Sequence, residues 1–151
     1  MEIREIRKND LEKIIELIRQ GVPYVLPYNV YVYWILQNYY SSTCMVVESE
    51  DKIVGYISGI PSLDKETIFI WQLCVDFKHR GEGIGTMMID SLVSEAKRLG
   101  YCNIQLSISD TNIASQTLFK SYAKKKGMEI YEKGIEKFED QTELVFQINI
   151  E

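Results

Sequence analysis

A glycine-rich run in the middle of the chain carries the clearest chemical signal. It reads Arg-Gly-Glu-Gly-Ile-Gly-Thr over residues 80–86 and lies between a β-rich segment and an amphipathic segment. Its closely spaced glycines let the backbone turn tightly and bring N–H groups close to a ligand. The first turn of a helix adds unpaired N–H donors and a partial positive charge. The run therefore predicts a binding site for a pyrophosphate, to which Arg80 adds a formal positive charge.

Two common phosphate-binding motifs do not match this run. A Walker loop requires Gly-x-x-x-x-Gly-Lys-Ser/Thr, and no lysine stands at that spacing. The dinucleotide fingerprint Gly-x-Gly-x-x-Gly requires a glycine at position 86, where this chain has Thr86. A plain tight turn between a strand and a helix is the alternative interpretation. The residues of the run alone leave both interpretations open.

Apolar periodicity places the run inside a mixed α/β domain. The predicted strands cover residues 2–7, 43–48, 52–60, 67–76, 102–109, 128–133 and 143–150. The predicted helices cover residues 11–20, 31–40, 87–99 and 111–126. The helix after the glycine run separates two strands that we expect to be parallel, as in a βαβ unit.

The composition bounds the class of protein. With 151 residues, we expect one domain, 1–151, that needs neither a disulfide nor a metal for stability. Its 17 basic and 22 acidic side chains give a net charge of −5, which argues against a sequence-independent nucleic-acid binder because that class needs a basic face. Residues 20–47 carry no charge, but their purely apolar stretch, 30–36, is much shorter than the roughly 20 residues of a membrane span. We therefore expect a buried aromatic wall there and no membrane association.

The cysteines predict a reducing compartment and no metal. Cys44, Cys74 and Cys102 are widely spaced, and His79 is the only histidine, so no usual zinc pattern is present. An odd number of unpaired thiols is typical of a reducing environment. The amino terminus has no apolar core of a secretory signal. These features favour a cytoplasmic protein.

The sequence resembles the GNAT superfamily of acyl-CoA-dependent N-acetyltransferases. Arg80, Gly83 and Gly85 match its Arg/Gln-x-x-Gly-x-Gly/Ala signature, and residues 73–80 are similar to the strand and loop before it. Residues 112–119, Asn-Ile-Ala-Ser-Gln-Thr-Leu-Phe, are similar to its second acetyl-CoA motif. The resemblance implies a mixed central sheet of six to seven strands flanked by about four helices. It also implies that acetyl-CoA is the acetyl donor and that a small-molecule amine is the acceptor.

Within this superfamily the chain is most similar to the L-2,4-diaminobutyrate acetyltransferases of ectoine biosynthesis. The pair Trp71-Gln72 carries most of the likeness, and residues 112–119 and 123–127 agree with it. That family usually has an Asp- and Asn-containing stretch before its tyrosine-rich helix, where residues 24–29 here read Tyr-Val-Leu-Pro-Tyr-Asn. The resemblance implies acetylation of L-2,4-diaminobutyrate or of a related diamino compound.

The resemblance also implies a set of cofactor contacts on the strand before the loop, on the loop and on the second motif. These are Leu73, Cys74, Val75, Arg80, Gly81, Glu82, Gly83, Ile84, Gly85, Thr86, Asn112, Ser115 and Phe119. We expect the backbone of residues 73–75 to pair with the pantetheine arm, and one of its N–H groups to polarise the thioester carbonyl. The amides of the loop would hold the pyrophosphate.

The amine pocket is predicted from aromatic residues. The predicted contacts of the amine are Trp71, Tyr31, Tyr33 and Gln72. The three aromatic rings would make cation–π contacts with it, and core packing is the alternative interpretation for these rings.

The amine must lose a proton before it attacks, and the sequence offers several acceptors. Glu66 is the predicted catalytic residue that accepts this proton, and Asp76, Glu139 and Glu143 are the other candidate acids. A relay of water and backbone carbonyls is the alternative.

The leaving thiolate must gain a proton. GNAT enzymes usually have a tyrosine seven residues after the motif asparagine, and that position here is Phe119. Tyr122, about one helical turn further, is predicted to replace it, with solvent as the alternative donor. The missing tyrosine also motivates a second hypothesis, a non-catalytic acyl-CoA-binding or regulatory domain. A third hypothesis is an acetyltransferase for protein N-termini or lysines. A homodimer formed through an edge strand fits each of these hypotheses.

Overall fold

The computed structural model describes residues 1–151, which form seven strands and four α-helices. In chain order these are β1 (Glu2–Glu5), α1 (Leu11–Ile18), α2 (Val30–Tyr39), β2 (Cys44–Ser49), β3 (Lys52–Pro61), β4 (Thr67–Val75), α3 (Ile84–Arg98), β5 (Asn103–Ser109), α4 (Ile113–Lys126), β6 (Ile130–Phe138) and β7 (Gln141–Asn149). The strands make one sheet in the order β1-β2-β3-β4-β5-β7-β6. The predicted fold class, a mixed α/β domain with a GNAT-like sheet, is confirmed.

The one parallel pair of the sheet lies beside the glycine run. β4 and β5 are parallel, whereas all other neighbouring strands are antiparallel. Helix α3 connects the two parallel strands, as the βαβ interpretation predicts. It begins at Ile84, directly after Gly83, so the glycines stand at its amino terminus.

Helices cover both faces of the sheet. The apolar sides of α3 and α4 pack on one face in a cluster of 21 buried residues, and α1 and α2 pack on the other in a cluster of 13. In α1, the apolar positions Leu11, Ile14, Ile15 and Ile18 are all buried, because their helical spacing places them on one side. The side chain of Asn29 accepts a hydrogen bond from Tyr31 N at 2.9 Å and caps α2.

A β-bulge at Trp71 separates the two halves of β4. Gly59 pairs with Ile70 and Ser58 pairs with Gln72, so Trp71 has no partner on β3. The pairing of β4 with β5 also ends at Ile70. From Trp71 onward β4 therefore has no hydrogen-bonded neighbour on its β5 side, and the sheet opens into a cleft.

The carboxyl-terminal hairpin is longer than the sequence predicts. β6 continues to Phe138, five residues past the expected end at 133, because its pairing with β7 extends as far as the hairpin turn. An irregularity between Glu132 and Gly134 interrupts that pairing. The longest helix, α3, has 15 residues, and no helix combines the length and the apolar composition that a bilayer crossing requires.

Candidate active site

The cleft between β4 and β5 contains two cavities that meet. One has a volume of about 350 Å³ and the other about 530 Å³. Both are lined by the same five residues, which mark the junction: Tyr24, Val25, Leu73, Asn112 and Ser115. A ligand in one cavity can therefore reach a ligand in the other.

The glycine run lines the larger cavity. Gly81 and Gly83 have φ angles of 82° and 81°, in the left-handed region that glycine adopts without strain. Gly85 serves a different purpose, since a Cβ there would lie 3.0 Å from Leu118 Cδ2 of α4. The loop amides, the amino terminus of α3 and Arg80 thus face one cavity, an arrangement suited to a pyrophosphate.

The open edge of β4 presents unpaired N–H groups to the junction. Gln72 N–H donates to Ser58 Oγ at 3.2 Å and Asp76 N–H also donates to β3, so the even-numbered residues point toward β3. The N–H groups of Leu73 and Val75 point the other way, because successive residues of a strand alternate. No strand accepts from them there, since the pairing with β5 ends at Ile70. This edge can pair with an extended ligand and polarise a carbonyl.

The amino terminus of α4 supplies a hydroxyl at the junction. Asn112 Oδ1 accepts from Ser115 N at 3.3 Å, and Asn112 Nδ2 donates to Ser115 Oγ at 3.1 Å. Ser115 Oγ thus accepts a hydrogen bond from the protein and keeps its own proton for a ligand. One turn later Phe119 is buried and lines the smaller cavity with carbon only.

The smaller cavity combines aromatic walls with a carboxylate. Trp71 Nε1 donates to Tyr28 Oη at 3.2 Å, and the two ring centroids lie 5.2 Å apart. Opposite, Glu143 accepts from Ser107 Oγ at 3.2 Å and from Gln141 Nε2 at 3.1 Å. Glu143 is the only acid in the lining, which contains no lysine, arginine or histidine. The cavity is therefore suited to a cationic ligand.

Gln72 and Tyr33 support this wall from behind. Gln72 Oε1 accepts from the Tyr33 hydroxyl at 3.0 Å, and Gln72 Nε2 donates to Leu26 O at 2.9 Å. The Tyr33 hydroxyl also accepts from Tyr28 N at 3.1 Å, and burial raises its pKa. Gln72 lines the smaller cavity, but its amide is already bonded to protein on both sides. The pair holds the segment 21–29 against the sheet.

The two predicted catalytic residues, Glu66 and Tyr122, lie outside both cavities. Glu66 precedes β4 at the end remote from the cofactor loop, where its carbonyl accepts from Cys102 N and Asn103 N. Tyr122 faces α3, and its hydroxyl donates to Asp90 Oδ1 at 3.0 Å. Burial and the Asp90 carboxylate both raise the pKa of Tyr122. Neither side chain is placed to exchange a proton with a ligand in the cleft.

Three further predicted contacts also lie outside the cavities: Tyr31, Glu82 and Tyr33, which stands behind Gln72. Tyr31 is exposed on α2 and stacks on Trp34, with ring centroids 5.8 Å apart. Glu82 lies between two lining glycines, but it does not line the larger cavity itself. The other cofactor residues of the prediction do line the cleft; they are Leu73, Cys74, Val75, Arg80, Gly81, Gly83, Ile84, Gly85, Thr86, Asn112, Ser115 and Phe119.

Cys74 lines the larger cavity as a neutral thiol. Burial raises its pKa to about 11, although the nearby Arg80 charge lowers it in part. A neutral thiol is a poor nucleophile, so Cys74 serves as an apolar side chain of the wall. No group of three or more His, Cys, Asp or Glu side chains is arranged to hold a metal ion.

Sequence reasoning found Trp71, Gln72 and Glu143 but missed other residues that line the smaller cavity, which is called the amine-side cavity below. Tyr24 and Tyr28 lie in an irregular segment that has no periodicity to read. Ser107 comes to Glu143 only through the pairing of β5 with β7, whereas Gln141 lies two residues before Glu143 on β7 itself. The polar positions 105, 107 and 109 of β5, which alternate with buried isoleucine and leucine, are the one signal that could have indicated a polar surface there.

The chain matches the model of the acetyltransferase (GNAT) family over residues 11–123. Among curated relatives, it is 36% identical over 119 residues to an L-2,4-diaminobutyric acid acetyltransferase of Virgibacillus pantothenticus, covering 78% of this chain and 74% of the relative. It is 31% identical over 101 residues to the enzyme of the same name from Marinococcus halophilus, covering 66% of this chain. The match spans only 59% of the length of that relative.

Solved structures agree with these matches. The diaminobutyrate acetyltransferase EctA from Paenibacillus lautus, in complex with L-2,4-diaminobutyric acid and coenzyme A, superposes with a TM-score of 0.84 at 31% identity, covering 98% of this chain and 93% of that chain. Ard1 from Thermoplasma volcanium superposes with a TM-score of 0.83 at 19% identity, covering 99% and 98% of the two chains, a likeness of fold alone.

Proposed function

Since the chain belongs to the acetyltransferase (GNAT) family, we propose that it transfers the acetyl group of acetyl-CoA to a primary amine of a small diamino compound, such as L-2,4-diaminobutyrate. The observation that carries this proposal is the meeting of two unlike cavities at Leu73, Asn112 and Ser115. One is lined by a phosphate-binding loop, and the other is lined by aromatic rings and one carboxylate. Relatives named for diaminobutyrate acetylation support the choice of acceptor.

Acetyl-CoA occupies the larger cavity in this proposal. The amides of residues 81–86 and Arg80 bind its pyrophosphate, because both supply positive charge to one point. The pantetheine arm lies along the open edge of β4 as an added strand. This places the thioester at the junction, where Leu73 N–H donates to its carbonyl oxygen.

The chemical step joins the amine nitrogen to the thioester carbon and then breaks the carbon–sulfur bond. Leu73 N–H stabilises the oxyanion that forms between these events. Glu143 attracts the cationic amine, and the reacting nitrogen loses its proton to water in the open cleft before it attacks. Ser115 O–H donates to the departing sulfur, whose thiol has an ordinary pKa of about 8.5, so the thiolate is a good leaving group without Tyr122.

The edge strand β6 supports the expected homodimer. It is one of the two outermost strands of the sheet, the longer of the two, and leaves one row of backbone N–H and C=O groups unpaired. Its exposed Ile135 and Phe138 add apolar surface. We place this enzyme in the cytoplasm, in keeping with its three free thiols. Light scattering coupled to size exclusion tests the dimer, and a monomer at all concentrations would contradict it.

The test of the function is product analysis by mass spectrometry. The protein is mixed with acetyl-CoA and with a panel of amines, including L-2,4-diaminobutyrate, monoamines and a short peptide. We expect one mono-acetylated diamino product and an equal amount of free CoA. Acetyl-CoA binding without turnover of any amine would favour the non-catalytic hypothesis, and preferred acetylation of the peptide would favour a protein substrate.

Two variants connect the activity to the site. Ser115→Ala is expected to lower kcat about tenfold, because the departing sulfur loses a hydrogen-bond donor. Glu143→Gln is expected to raise the KM for the amine and leave the KM for acetyl-CoA unchanged. Glu132→Gln is the matched control for the second variant. Glu132 is exposed and pairs with Phe146, so the two side chains share the face of the sheet opposite to that of Glu143. An equal effect of both glutamine variants would contradict the placement of the amine.

A further inference from the structure

The amine-side cavity is lined by negative charge only. Its lining contains Glu143 and no cationic side chain. The guanidinium cation of the joined cleft, Arg80, lies in the larger cavity beside the glycine loop. It is thus on the cofactor side of the junction and adjoins the expected pyrophosphate. A ligand in the smaller cavity meets negative charge and no balancing positive charge.

Away from the junction, where Leu73 N–H and the Ser115 hydroxyl face the thioester, several neutral donors of the same cavity are committed to protein acceptors. Ser107 and Gln141 both donate to Glu143, at 3.2 and 3.1 Å. Trp71 Nε1 donates to Tyr28, and Gln72 Nε2 donates to a backbone carbonyl. A carboxylate on the ligand would find the proton of the Tyr28 hydroxyl free, but it would have to displace these bonds to gain further donors away from the junction. The cavity wall therefore favours a ligand that donates hydrogen bonds, such as an ammonium group, over an anionic ligand.

A second carboxylate stands beside Glu143. In the pairing of β6 with β7, Glu136 is directly opposite Glu143, so both side chains leave the same face of the sheet. Directly opposed residues have Cβ atoms about 5 Å apart, and like charges at this distance destabilise a strand pair. Glu136 is exposed and forms no ion pair in the structure. A bound ammonium group would relieve this repulsion.

We infer that the preferred acceptor is a short linear aliphatic diamine that carries no carboxylate. This inference rests on the proposed acetyl transfer and narrows its substrate class. One ammonium group binds to Glu143, whose negative charge the neighbouring Glu136 reinforces, while the methylene chain lies against Trp71 and Tyr28. The other amine, after it loses its proton to water, attacks the thioester at the junction. The products are the mono-acetylated diamine and CoA, whose sulfur takes up one proton.

A matched pair of substrates tests this inference. L-2,4-diaminobutyrate and 1,3-diaminopropane have the same spacing of nitrogens and differ only in the carboxylate. We expect kcat/KM to be about tenfold or more higher for 1,3-diaminopropane, because the carboxylate of the amino acid would face Glu143 without a counterion. The difference should appear mainly in KM, since the reacting amine is the same in both.

Two variants connect this preference to the carboxylates. Glu143→Gln should bring the two kcat/KM values within about threefold of each other, because it removes both the attraction and the repulsion. Glu136→Gln should reduce the preference in part. Glu132→Gln, on the same strand but on the opposite face, should leave the preference unchanged.

The outcomes separate this inference from the proposed function. A higher kcat/KM for diaminopropane that falls in Glu143→Gln supports both. An equal or higher kcat/KM for diaminobutyrate overturns the diamine inference and leaves acetyl transfer intact. A preference that persists in Glu143→Gln overturns the assigned cause. If neither compound is acetylated while acetyl-CoA binds, the proposed function fails, and the substrate inference fails with it.

Discussion

Two buried tyrosines in contact provide a sharp test of the hydrogen-bond network behind the cleft. Tyr33 and Tyr56 are both fully buried, and their rings meet edge to face with centroids 5.9 Å apart. The Tyr33 hydroxyl donates to Gln72 and accepts from Tyr28 N, whereas the Tyr56 hydroxyl has no hydrogen-bond partner. Replacement of each tyrosine by phenylalanine removes the same atom from two opposite situations.

The expected energies follow from those partners. Tyr33→Phe leaves Gln72 Oε1 and Tyr28 N–H each short of a hydrogen bond, which should cost about 2 kcal/mol of unfolding free energy. For a domain of this length, that corresponds to a fall in Tm of about 4–8 °C. Tyr56→Phe removes an unsatisfied buried hydroxyl, so stability should be unchanged or higher by up to about 1 kcal/mol.

Urea denaturation followed by circular dichroism gives the two unfolding free energies, and steady-state kinetics give the effect on the site. Tyr33→Phe should raise the KM for the amine severalfold and the KM for acetyl-CoA less, because Gln72 holds Leu26, which lines the amine-side cavity and not the larger one. Tyr56→Phe should change neither KM. If the two variants lose equal stability, the network has no net energetic value and this reasoning is refuted.

Three further predictions address the fold and the cofactor cavity. Gly83→Ala should weaken acetyl-CoA binding severalfold and lower the unfolding free energy by about 1 kcal/mol, because its φ is 81°. Gly100→Ala is the control: its φ is 91° and its surroundings are equally open, but it is remote from the cleft, so it should lose the same stability and bind acetyl-CoA normally. Equal binding of acetyl-CoA by the two variants in calorimetry would contradict the role of the loop. Asp10→Asn should cost about 3 kcal/mol, because Asp10 is buried and holds Arg4 at 2.8 and 2.9 Å. Burial raises the pKa of Asp10, but hydrogen bonds from Arg4 and Arg7 N–H lower it more, so its stabilisation is complete above the ordinary pKa of about 3.9 and lost as the pH falls below it; an unchanged acid limb of the stability–pH curve in Asp10→Asn would be inconsistent with this. Finally, Cys74 should be alkylated more slowly than Cys102 at pH 8. Cys74 is buried and its pKa is raised to about 11, whereas Cys102 is only half-buried, although the Glu151 carboxylate raises its pKa too. Peptide mapping that finds Cys74 modified first would disprove this.

The cofactor side of the cleft could be predicted from the sequence because local backbone chemistry determines it. The glycines 81, 83 and 85 and the helix that follows them are contiguous, so their types and spacing already describe a loop of open amides. The parallel pair β4 and β5 follows from the same logic, since a helix between two strands must cross the sheet. These elements agree with the structure to within a few residues.

The amine side could not be predicted in the same way because it is built from long-range pairings. Glu143 reaches the cleft through the pairing of β7 with β5. The bulge at Trp71 shifts the register of β4 against β3, and hydrophobic periodicity does not indicate such a shift. Helical spacing predicts Tyr122 in the cleft, but α4 packs on α3 and directs its hydroxyl to Asp90. The sequence places the acid Glu66 next to β4, but Glu66 lies at the end of the strand remote from the glycine loop.

The most direct test of the central claim follows the acetyl carbon itself. Acetyl-CoA carrying carbon-13 in the carbonyl group is mixed with the protein and a diamino compound, and the label is observed by NMR. We expect the thioester signal to be replaced by one amide signal on the diamino compound, at a rate that falls in Ser115→Ala. A thioester signal that persists although acetyl-CoA is bound, or a label that ends on the protein, would contradict acetyl transfer at the junction of the two cavities.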